Sequence, residues 1–125
     1  MAKKLAAVTE TELSILANLW DRGALTVREI VDALYGEHSP SLHATVKSLL
    51  DRLAEKGFVA SDRRGFAHRY VARIDRQTFV GQQLKQLAQT HFGGSLVPML
   101  LALVRETRLS KAEREKIRRI IEKID

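Results

Sequence analysis

Three segments of this chain carry the same punctuation, a hydroxyl residue followed three positions later by glutamate: Thr9-x-x-Glu12, Thr26-x-x-Glu29 and Ser110-x-x-Glu113. In such a capping box the two side chains satisfy amide groups that a helix start leaves without partners. Each box precedes an apolar stripe at i, i+3, i+4, i+7: Leu13, Leu16, Ala17 and Trp20; Val27, Ile30, Val31 and Leu34; Ile117, Ile120, Ile121 and Ile124. Gly23 and Gly36 stop the first two helices. A chain punctuated this way is built mainly from short amphipathic helices, and Ala24-Leu25-Thr26 between the first two is compatible with a single edge strand.

A third helix follows over Ser41 to Lys56, with Leu42, Val46, Leu49, Leu50 and Leu53 on one face and Gly57 as its stop. Two starts fit: Ser39 as cap with Pro40 at the first helical position, or Ser41 as cap with the helix beginning at Leu42. Phe58-Val59-Ala60-Ser61 and Ala67-His68-Arg69-Tyr70-Val71 then read as short strands around the basic turn Asp62-Arg63-Arg64-Gly65-Phe66. Beyond Arg73 the spacing is helical up to Gly93-Gly94, with Phe79, Val80, Leu84, Leu87, Ala88 and Phe92 on one face. Leu96 to Arg105 reads as a further helix that tolerates Pro98 only in its first turn. The fold class is mainly α with a small β-hairpin.

Charge is uneven along the 125 residues. The formal net charge is +6, but residues 1–40 sum to −2, 41–75 to +3 and 76–125 to +5. In the last segment Lys111, Arg114, Lys116, Arg118 and Arg119 interleave with Glu113, Glu115 and Glu122, the pattern of a solvated helix face with local ion pairs. The third helix differs. Opposite its apolar face lie Ala44, Lys47, Ser48 and Asp51, flanked by Ser41, Thr45 and Arg52, a small, polar and cationic surface able to enter a major groove. Arg63 and Arg64 on the hairpin add a second cationic contact suited to phosphates or a minor groove. Alone, each feature is what any solvated helix or loop tip shows. Their order, three short helices and then a basic hairpin, is that of a helix-turn-helix with a wing.

Other chemistries are poorly supplied. With no cysteine, a disulfide scaffold, a thiol nucleophile and a cysteine metal site are all excluded. Of the histidines His38, His43, His68 and His91, none forms the helical pair with a carboxylate that a zinc motif needs, so no metal or cofactor is expected and all read as isolated surface or turn residues. His43 begins the third helix and joins the candidate DNA-contact set. No nucleophile elbow, phosphate loop or calcium loop is present, and Gly93-Gly94 lacks the strand and following lysine that phosphate cradling needs, so the chain reads as a non-enzyme. The longest apolar run, Leu96 to Val104, is interrupted by Pro98 and falls far short of the roughly 20 residues of a membrane span. The apolar start is cut too early by Thr9-Glu10-Thr11-Glu12 to be a signal peptide, and a cytoplasmic location is expected.

Several blocks together resemble the penicillinase-repressor (BlaI/MecI/CopY) family. They are Thr9 to Leu16 through Leu19-Trp20, Thr45-Val46-Lys47-Ser48-Leu49-Leu50-Asp51-Arg52-Leu53, Lys56-Gly57, Arg69-Tyr70, the Phe92-Gly93-Gly94-Ser95-Leu96 break and Leu109-Ser110. The resemblance implies a winged-helix DNA-binding domain over residues 1–74 and a helical dimerisation domain over 75–125, a homodimer on a palindromic double-stranded DNA operator repressing resistance, efflux or stress genes. It implies dimerisation through Phe79, Leu84, Leu87, Phe92, Leu96, Leu100, Leu101, Ile117, Ile120, Ile121 and Ile124, and a membrane metalloprotease sensor upstream. The chain departs from the family pattern in three places. Ala102-Leu103 stand where β-lactam-induced members have a cleavable Asn-Phe pair, the cysteine motif of copper-responsive members is missing, and His38 to Ala44 is a longer approach to the third helix with Ala44 in place of a usual Lys. The competing expectation is a winged-helix protein-interaction module whose positive charge serves only solubility.

Overall fold

The computed structural model describes residues 8–123. In chain order the elements are α1 (Glu10–Arg22), β1 (Leu25–Thr26), α2 (Val27–Tyr35), α3 (Pro40–Glu55), β2 (Val59–Asp62), β3 (Arg69–Ala72), α4 (Arg76–Phe92), α5 (Leu96–Glu106) and α6 (Lys111–Lys123). All three capping boxes form. The Thr9, Thr26 and Ser110 amides donate to the glutamates three residues on, and the Glu12, Glu29 and Glu113 amides donate back to the hydroxyls, at 2.9–3.2 Å. Of the two possible starts for α3, the one at Ser39 is used: its hydroxyl accepts from the Leu42 amide at 3.1 Å, and Pro40 takes the first helical position, where its missing N–H goes unneeded.

The hairpin gains a third strand. β3 lies between β1 and β2, antiparallel to both, with Leu25 opposite Tyr70 and Asp62 opposite Arg69. Two residues of β1 suffice because β3 would otherwise present an unpaired edge. Each strand of the hairpin sits about one residue later than the apolar pattern suggests, Asp62 belonging to β2 rather than to the turn.

Packing divides the chain into two compact units after Gln83, inside α4. The first unit has a closed core of Ile15, Leu16, Leu19, Leu25, Ile30, Val31, Val46, Leu50, Leu53, Phe58, Val59, Tyr70 and Phe79. Phe79 is a correction to the dimerisation set. It is 3% exposed, 5.6 Å from the Trp20 ring and edge-on to Phe58 at 5.4 Å, so the first turn of α4 completes this core. The same corner is tied by Trp20 Nε1–H, which donates to the Ile74 carbonyl at 2.8 Å, and by Arg76, which pairs with Asp21 at 2.7 Å and stacks over the indole.

Among the described residues the one buried charge is Glu12, 1% exposed, whose carboxylate receives Lys56 Nζ at 2.8 Å and so links the start of α1 to the end of α3. Burial pushes its pKa up, but hydrogen bonds from Lys56 and Thr9 outweigh that and hold it below the ordinary value of 4.5. A depressed folded-state pKa means the stabilisation is fully present above the unfolded-state value and is lost as pH falls through the folded one. Lys56→Met leaves the carboxylate buried without its cation. A loss of about 2–3 kcal/mol is expected in urea unfolding at pH 7, and Glu12→Gln in the same background restores most of it. An unchanged midpoint for Lys56→Met contradicts this.

In the second unit, α4 ends at Gly93 (φ 62°) and Gly94 (φ 89°), a left-handed pair that a residue with a Cβ adopts only under strain, and the chain turns by 98° into α5. Pro98 falls in the first turn of α5, where it is tolerated. Neither α5 nor α6 contains a buried residue. Among the described residues no single helix is long and apolar enough to cross a membrane. Of the proposed dimerisation residues, Leu84, Leu87, Leu96, Leu100, Leu101, Ile117, Ile120 and Ile121 are exposed, Phe92 is half-buried, and Ile124 lies outside the described residues.

Candidate nucleic-acid interface

The first unit presents α3 with its core face, Val46, Leu50 and Leu53, fully buried. That anchoring turns the opposite side to solvent. Ser41, Ala44, Thr45, Lys47, Ser48 and Arg52 are all exposed, and Ser41, Ala44, Thr45, Ser48, Leu49 and Arg52 line a shallow groove of about 400 Å³ along the helix. Small side chains at Ser41, Ala44 and Ser48 leave the backbone approachable, and Arg52 closes one end with a cation.

The cations are not equally available. Lys47 Nζ sits 2.7 Å from Asp51 Oδ1 one turn on and 5.9 Å from the centre of the Tyr70 ring, an arrangement in which first Asp51 and then Tyr70 raise its pKa. Since Tyr70 is a core residue of β3, it also couples the wing strand to the exposed face of α3. Arg64 donates from its amide and Nε to Asp62 Oδ1 at 3.0 Å and from Nη2 to Oδ2 at 3.1 Å, and that guanidinium holds the Asp62 pKa down at about 2. Arg63 is exposed and, among the described residues, without a side-chain partner. A polyanion meeting this surface therefore finds Arg52 and Arg63 ready and must displace a carboxylate to engage Lys47 or Arg64 fully.

His43 is half-buried rather than isolated. Its Nε2 lies 3.2 Å from His38 Nδ1, and His38 Nε2 lies 3.4 Å from Asp32 Oδ1, so the two histidines form a short chain across the turn from α2 to α3. The turn folds residues five apart onto each other, a proximity that helical periodicity does not register. His38 uses its two nitrogens toward different neighbours, so the groups do not converge, and no set of three or more acidic or histidine side chains among the described residues is placed to hold a metal ion. His68 stacks on Tyr70 with ring centres 4.8 Å apart, and its Nε2 is buried.

The sequence profile of the penicillinase repressor family matches residues 8–123. The chain belongs to the penicillinase repressor family. It is 31% identical over 124 residues to the transcriptional regulator BlaI of Mycobacterium tuberculosis, covering 98% of this chain and 88% of that protein. It is 22% identical over 120 residues to the penicillinase repressor of Bacillus licheniformis, covering 96% and 93% of the two chains. Among solved structures it is similar to the monomeric form of Bacillus licheniformis BlaI in complex with the blaP half-operator, with 23% identity and a TM-score of 0.48 over 61% of this chain and 92% of that one. Penicillinase repressors are transcriptional regulators and not enzymes, in keeping with a site made of a groove and cations rather than of an activated nucleophile or a general base.

Two features of this site escaped the sequence reading. Phe66, in the turn between β2 and β3, is the most exposed large apolar side chain among the described residues, and only its position in a turn could have signalled that. Tyr70 reads from sequence as an ordinary strand residue, and its service to Lys47 follows only from the pairing of β3 beside α3.

Proposed function

We propose that the chain is a homodimeric, sequence-specific repressor that works in the cytoplasm, each protomer placing α3 in a major groove of a palindromic operator and its wing on the adjacent backbone. The observation that carries the reading is the exposed, small-residue, cationic groove of α3 beside a wing with an exposed arginine. Membership of a repressor family supports it independently. A second copy of this chain is the occupant that best suits α5 and α6: their leucine, valine and isoleucine side chains are 41–65% exposed in the single chain, and Leu100, Leu103, Val104, Leu109, Ile117 and Ile121 line an apolar groove of about 430 Å³. The regulated genes belong, on this reading, to the resistance, efflux or stress classes, with a membrane metalloprotease as the upstream sensor. Ala102 and Leu103, which stand in α5 where β-lactam-induced members have an Asn-Phe pair, argue against cleavage of that specificity at this point and leave a metalloprotease to act at another bond.

The test is selection of duplexes from a random pool followed by affinity measurements. Thr45→Ala or Lys47→Ala is expected to cost roughly 1–3 kcal/mol on the selected duplex and to change which bases are preferred. Joint replacement of Arg63 and Arg64 by Ala weakens binding to every sequence alike and flattens the salt dependence. A wild-type chain that enriches no duplex contradicts the reading and favours the protein-interaction module instead.

A further inference from the structure

We propose that Phe66 is an apolar wedge that enters the minor groove beside the site read by α3 and opens a base step there, an inference that rests on the DNA-reading role just given. At 114% relative exposure Phe66 touches almost nothing in its own chain, whereas every other phenylalanine is buried or half-buried. Both legs of its turn are held. On one side Asp62 accepts three hydrogen bonds from Arg64, and on the other His68 stacks on Tyr70. The ring is thus displayed by an anchored turn rather than by a loose tail.

Its surroundings select the partner. Arg63 and Arg69, on either side of it in the chain, are exposed, with Arg69 Nη1 so near Gly65 that a Cβ there would meet it at 3.6 Å, while Arg64 is exposed but engaged by Asp62. Arginines suit the strong negative potential of a narrow minor groove, and a single apolar side chain between them is the device by which minor-groove proteins unstack a step and kink the duplex. The same wing strand contributes Tyr70 beneath Lys47, which ties the wing to the helix proposed to lie in the major groove. The step entered should be a deformable one, TA or CA/TG, which adds specificity at a position no polar side chain reads.

The experiment uses the full chain and the duplex enriched by the wild type, carrying 2-aminopurine in the flank and a dye at each end. With wild type, the emission of one flanking 2-aminopurine per half-site rises and end-to-end energy transfer reports a bend. Phe66→Ala abolishes both signals and weakens binding on the order of tenfold, while Phe66→Leu retains most of each. If Phe66→Ala binds and bends the duplex as wild type does, the wedge is wrong and the reader stands; if wild type enriches no duplex, both fall. A Phe66→Ala defect confined to phosphatidylglycerol vesicles also overturns the wedge, in favour of a lipid surface.

Discussion

Phe79→Ala is expected to destabilise the first unit by about 3–5 kcal/mol while leaving self-association of the chain intact. The ring is 3% exposed and wedged between Trp20 and Phe58, so its removal loses apolar burial, two aromatic contacts and leaves a cavity that the edge of the sheet and α1 close only in part. Trp20 is the single tryptophan and lies at the site of the change, so its fluorescence during urea unfolding reads this unit and not the other. Sedimentation equilibrium at moderate concentration supplies the second readout. A variant that unfolds like wild type but sediments as a monomer would return Phe79 to the dimerisation face.

Ile117→Asp and Leu103→Asp are expected to have the opposite signature. Both side chains line the apolar groove between α5 and α6, and both helices lack any buried residue in the single chain. A carboxylate there is tolerated by a monomer in water but must be desolvated against the second copy, which removes the association. Because two linked half-site contacts gain roughly 10²–10⁴ in avidity, operator affinity falls by about that factor, whereas the Trp20 unfolding transition keeps its midpoint. A variant that stays dimeric contradicts this placement of the interface.

What could be read from the chain beforehand follows from how local the governing physics is. Capping boxes, the Gly57 and Gly93-Gly94 stops and the inward face of α3 depend on residues within one or two turns, and all of them form. The start of α3 stayed open between two serines because both satisfy the same local rule, and only the fold of the preceding turn decides for Ser39. β1 has two residues and exists because β3 reaches it across forty-three positions. Phe79 shares its stripe with Val80, Leu84 and Leu87, and periodicity alone does not say that one helix serves two units, Arg76 to Gln83 in the first and the remainder in the second. At the site, the candidate residues on α3 were legible because an amphipathic helix declares its outer face. The internal pairing of Lys47 with Asp51 was legible in principle from their spacing, but the Arg64–Asp62 clamp, the His38–His43 contact and the exposure of Phe66 depend on turn geometry.

On the reading proposed above, two copies of this chain engage one palindrome through α3 and the wing. The most direct measurement of this is titration of the enriched duplex with the full chain at several salt concentrations, with the mass of the complex determined at saturation. Two chains per duplex are expected, with the logarithm of the affinity falling steeply and linearly with log salt and a shallower slope when Arg63 and Arg64 are replaced. One chain per duplex, or an affinity indifferent to salt, would contradict that reading.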